Sequence, residues 1–96
     1  MKDEVLNFIS LFKKDEKFLN GLCYWFSYIL KGCFPNGVTY YDPISGHFYY
    51  VIEDIAYDVT GEVKLPEKAV IWDTYKFLDD THYQRIVKQC ILKVGD

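Results

Sequence analysis

The chain has 96 residues, 50% of them hydrophobic and 19% aromatic, so large rings supply burial that a short chain cannot draw from length. Fourteen acidic residues against eleven Lys and Arg give a formal net charge of −3 with the cations scattered, which excludes a basic footprint for a nucleic-acid backbone. The three cysteines, Cys23, Cys33 and Cys90, cannot all pair with one another, which excludes a secreted disulfide framework and points to a reducing, cytoplasmic setting.

In chain order, Val5, Leu6, Phe8, Ile9 and Phe12 recur at helical spacing and predict an amphipathic helix over residues 4–12. The start, MKDEVLNF, has no apolar stretch of signal length, and no apolar run reaches a membrane span, so a single domain over residues 1–96 without a membrane partner is expected. KKDEK interrupts with solvated charge. Asn20 then has the chemistry of an N-cap, and Leu22, Phe26, Ile29 and Leu30 repeat as a helix face toward a stop at Gly32.

FPNG is turn chemistry, VTYY reads as a short strand and DPISG as a second turn. HFYYVIEDIAYDVTG has the composition of a β-hairpin, with aromatic and β-branched runs on both sides of Glu53-Asp54 and Gly61 closing it. After Pro66 the pattern is helical again, first around Trp72, Tyr75, Phe77 and Leu78. A last helix carries Tyr83, Ile86, Val87, Cys90 and Ile91 on one face, with Thr81 and Gln84 spaced as a capping box. The fold class is α+β, a small antiparallel sheet packed with flanking helices.

Cys23 follows the cap at a helix start, where unpaired amides and the helix dipole favour a thiolate. An even hairpin loop at Glu53-Asp54 sets Val51 opposite Ala56 and Tyr49 opposite Asp58, which places His47 and Asp58 on one face as diagonal neighbours. A thiolate, an imidazole that takes its proton and a carboxylate that orients the ring are the parts of a cysteine nucleophile site. With Cys23, His47 and Asp58 in that order, the stretch from Asn20 to Gly61 resembles the core of the papain-like and transglutaminase-like superfamily. That resemblance implies a compact core of that type and a thiol hydrolase or acyltransferase: Cys23 as nucleophile, His47 as base and acid, Asp58 as orienter, no cofactor and a protein substrate. The oxyanion donors would be the Cys23 amide with a side chain such as Asn20 or Trp25.

The same stretches, NGLCYWF, HF and YDVTG, are also similar to those of small proteins encoded by phages and other mobile elements of Gram-positive bacteria. That likeness implies a second reading, a non-catalytic protein in the host cytoplasm that inhibits a host defence protein by stoichiometric binding, of the anti-defence or anti-CRISPR type. Tyr24, Trp25, Tyr28, Tyr40, Tyr41, Tyr49 and Tyr50 are too many for one small core, so exposed rings are available as protein anchors. Cys23 could equally be an apolar plug, and Asp58, ahead of Val59-Thr60-Gly61, could organise a turn. Cys23, His47, Asp58 and His82 lack the paired spacing of a metal site, so none is expected. Cys90 reads as core and Cys33 as an exposed thiol.

Overall fold

Alternation along one strand sets the architecture. In β2 (His47–Ile52) the residues Phe48, Tyr50 and Ile52 are buried while His47, Tyr49 and Val51 are half-buried, because only one face of the strand is fully covered. Glu53 and Asp54 both take positive φ, 51° and 63°, the mirror-image turn whose twist matches its flanking strands. β2 therefore pairs antiparallel with β3 (Ile55–Asp58), with Tyr50 opposite Tyr57, Val51 opposite Ala56 and Ile52 opposite Ile55. This is the even register expected from the sequence, reached without the glycine such turns favour.

The computed structural model describes residues 2–12 and 23–88, the side chains of Cys23 and Lys76 excepted. Its five-stranded antiparallel sheet has the order β4-β3-β2-β1-β5, with β1 at Val38–Asp42, β4 at Gly61–Val63 and β5 at Val70–Ile71. β4 and β5 have three and two residues, too few to display a period, and the sequence reading contains neither.

Every helix among the described residues packs on one face of this sheet. α1 (Lys2–Ser10) inserts Val5 and Ile9, and α2 (Cys23–Cys33) inserts Phe26 and Leu30, into a cluster with Tyr50, Ile52, Tyr57 and Val59. α3 (Trp72–Leu78) and α4 (Asp80–Ile86) close a second cluster of Tyr41, Phe48, Trp72, Tyr75 and Ile86. Tyr24, on α2, packs on the second cluster, its ring 5.2 Å from Phe48 and 6.3 Å from Trp72. Dividing the rings between two clusters is how so short a chain buries so many.

Element ends follow local hydrogen bonding. α1 stops at Ser10, two residues before its periodicity does, with Phe12 N–H closing a tighter turn on the Ile9 carbonyl at 2.9 Å. α2 runs through Gly32 to Cys33, which is exposed. The cap of the last helix is Asp79 rather than Thr81: its carboxylate accepts from the His82 amide at 3.1 Å, and its own N–H closes α3 on the Tyr75 carbonyl. An aspartate between two helices can serve both ends, which the Thr81-Gln84 spacing does not reveal. Asn20, expected as a cap, and Cys90, expected in the core, lie outside the described residues.

Candidate functional site

His47 opens β2 and Asp58 ends β3. The register of those strands puts both side chains on the face away from the helices, where His47 Nε2 meets Asp58 Oδ2 at 3.0 Å with side-chain exposures of 15% and 11%. The second carboxylate oxygen accepts from the Thr60 amide at 2.8 Å and from the Thr60 hydroxyl. Asp58 thus does both things its sequence position allows, orienting an imidazole and organising the turn into β4. Burial opposes ionisation of this carboxyl, yet the hydrogen bonds from His47 and from the Thr60 hydroxyl and amide outweigh it and hold its pKa below the ordinary value. Thr60 was the missed partner; the Asp-x-Thr spacing ahead of a glycine was its signal.

A parallel arrangement holds the loop before β2. Asp42, opposite His47 in the sheet, accepts from the Ile44 amide at 3.0 Å and the Ser45 hydroxyl at 2.7 Å. Its carboxylate is committed to the backbone it shapes.

The helix that begins at Cys23 lies across the sheet from the imidazole. Phe26 and Leu30 pack with Tyr50 and Ile52, Tyr24 meets Phe48, and Ser27 shares a 2.8 Å hydrogen bond with Thr39, all on the covered face. The His47 ring instead packs on Tyr49, 4.7 Å between centroids, on the other face. So His47 and Asp58 come together, α2 is carried by the opposite face, and the Cys23 side chain lies outside the described part. Of the two oxyanion candidates, Asn20 lies outside the described residues. Trp25 stands against Tyr24 and Tyr28, and its buried indole Nε1 has no hydrogen-bond partner among the described residues.

His82 sits with the helices, its Nδ1 2.6 Å from the Tyr75 hydroxyl, so the sheet separates it from His47. Among the described residues no three His, Cys, Asp or Glu side chains gather as metal ligands. No described helix is long and apolar enough to cross a membrane.

The face of the sheet opposite the helices is largely apolar. Pairing carries Val38, Tyr40, Tyr49, Val51, Ala56, Val63 and Ile71 on the face of the sheet opposite the helices. At its β1–β5 corner Val38 and Ile71 are 39% and 38% exposed, and round the edge on α2 Tyr28 is 58% exposed. A groove of about 180 Å³ opens at this corner between Tyr24, Tyr28 and Lys31 of α2, Thr39 of β1, and Trp72 and Asp73 of α3.

The family model for the phage YunG-like protein matches residues 7–91, a stretch that runs through the whole sheet and both helical clusters. No curated protein and no solved structure matches the chain.

Proposed function

We propose, since the chain belongs to the phage YunG-like protein family, that it is a non-catalytic phage protein that binds a host protein stoichiometrically, with proteins of host defence as the target class. One observation carries this reading: the sheet keeps its described helices on one face and presents valine, isoleucine and tyrosine on the other, with exposed rings and branched chains continuing round the β1 edge. Apolar surface rimmed by polar groups is the composition of a protein-binding site, and tyrosine is a favoured anchor. The commitment of Asp42 supports it too, since both oxygens of its carboxylate hold its own loop.

The test separates binding from thiol chemistry. The protein is expressed in a host carrying a defence system, and phage plating efficiency is compared for the native chain, Cys23→Ser, Tyr49→Asp and Val51→Asp, with circular dichroism confirming that each folds. Cys23→Ser should behave as the native chain and the two face variants should lose the phenotype. The opposite pattern would overturn the reading and favour acyl transfer with Cys23 as nucleophile, His47 as base and Asp58 as orienter.

A further inference from the structure

Two turns of α2 and the start of α3 wall the groove at the β1–β5 corner. Tyr24 and Tyr28 are four residues apart on α2, so their rings share one face of that helix. Trp72 is buried, with Tyr83 stacked on its ring at 4.7 Å, and it meets Tyr24 at 63° with centroids 6.3 Å apart, which makes an inner corner of two rings. Asp73, exposed in the first turn of α3, adds a carboxylate. Burial first, then Tyr83 and the Asp73 carboxylate, pushes the pKa of the Tyr24 hydroxyl up, so this inner end disfavours negative charge. Lys31 lines the groove as well, but it stands seven residues and about 10 Å of helix rise beyond Tyr24. Among the described residues, Asp73 and Lys31 form no ion pair with each other or with another side chain.

The chemistry of these walls narrows the occupant. The volume, about 180 Å³, matches about six water molecules at roughly 30 Å³ each, room for the end of one side chain. An apolar side chain would cover the Asp73 carboxylate and the Tyr24 hydroxyl without giving either a partner, which costs free energy. An anion would meet Lys31 at one end but a carboxylate and the negative faces of rings along the rest. A bare metal ion would find one carboxylate where it needs several oxygens, and no three ligating side chains gather among the described residues. A cation with apolar flanks uses the whole groove: ring faces attract its charge, and carboxylate and phenol oxygens accept its hydrogens. Guanidinium fits best, being planar, weakly hydrated and armed with five donors in a fixed fork.

We infer that this groove is the site for one arginine side chain of the protein partner, its guanidinium held by the Tyr24 and Tyr28 rings and the Asp73 carboxylate. The inference rests on the binding reading for its biological meaning and adds the charge of what is recognised. A partner with a basic surface is also the one that a chain of net charge −3 attracts at a distance. The groove lies at the corner where Val38 and Ile71 end the apolar face, so a single partner can cover both.

The probes are two capped tripeptides, acetyl-Gly-Arg-Gly-amide and the same peptide with citrulline for arginine, titrated into the whole isotope-labelled chain by NMR. Citrulline keeps the shape of the side chain and removes its charge, and the caps leave no other charge to read. Millimolar arginine peptide should shift the amides of Tyr28, Thr39 and Asp73 and the Trp72 indole, and the citrulline peptide should bind roughly three- to tenfold more weakly. Asp73→Asn and Tyr28→Ala should each weaken arginine binding by a similar factor; both residues are exposed, so the fold tolerates the changes. Lys31→Gln removes a like charge and should not weaken it. The inference is overturned by silence at these positions, by shifts centred on another surface, by equal binding of the citrulline peptide, or by unchanged binding in Asp73→Asn. Concentration-dependent shifts without peptide that vanish in Lys31→Gln would assign the groove to the lysine of a second copy and overturn it too. If the peptide fails while Tyr49→Asp and Val51→Asp still lose the host phenotype, arginine recognition falls and the binding reading stands. If the peptide binds as expected while Cys23→Ser abolishes the phenotype, the binding reading falls instead.

Discussion

Asp58→Asn keeps the size of the side chain and removes its charge. The native carboxylate accepts at one oxygen from His47 at 3.0 Å and at the other from the Thr60 amide at 2.8 Å and the Thr60 hydroxyl. An asparagine has one acceptor oxygen, so a rotamer that serves Thr60 turns its NH₂ toward His47. Hydrogen bonds to a charged acceptor contribute roughly twice what neutral ones do, and discharging this cluster costs about 2 kcal/mol once its partial exposure is allowed for. For a domain of this size that lowers Tm by about 8–16 °C. The pH dependence has a definite sign. The folded pKa of Asp58 is held below its unfolded value of about 4, so the unfolded chain takes up the proton first. The stabilisation is fully present above the unfolded pKa and is lost as pH falls through the folded one. Urea midpoints for the native chain and Asp58→Asn should therefore differ by the full amount at pH 7 and draw together as pH falls through the folded pKa of Asp58. A difference below about 0.5 kcal/mol at pH 7, or one that is unchanged in acid, would refute the assignment of the carboxylate as a charged clamp.

Gly37→Ala should destabilise by about 2 kcal/mol or more in urea unfolding, because an added Cβ would sit 2.5 Å from the Tyr50 ring and 2.6 Å from the Val51 carbonyl oxygen. The buried Tyr50 hydroxyl accepts from the Gly37 amide at 2.9 Å and donates to the Phe34 carbonyl, so a midpoint unchanged by the alanine would mean that this approach is not needed. Replacing Glu53-Asp54 by Asn-Gly should raise stability by about 0.5–1.5 kcal/mol, since both positions hold positive φ that Asn and Gly adopt with less strain. A lower melting temperature in that variant would count against the mirror-image turn.

Local chemistry alone was enough for the α+β class, for the strands around Glu53-Asp54 and for the pairing of His47 with Asp58. Strand alternation is a period of two, and once the loop length is even, parity places both residues on one face whatever the rest of the chain does. The two roles of Asp58 were legible for the same reason, since orienting a cross-strand neighbour and shaping an Asp-x-Thr turn are both short-range. β4 and β5 were not legible, because strands this short exist only where a longer neighbour supplies the pairing. Nor was the side of the sheet that α2 would choose. Helix periodicity shows that Phe26 and Leu30 must be buried but does not say against which face of a strand. That choice falls to Phe48, Tyr50 and Ile52, whose combined apolar area exceeds that of the face carrying His47 and Tyr49. Packing thus put the helix that starts at Cys23 across the sheet from the imidazole, and it also ended β5 at Ile71, where Trp72 turns inward to complete its cluster of rings. Both outcomes depend on which large surfaces are buried together, a property of the assembled layers that no stretch of sequence contains by itself.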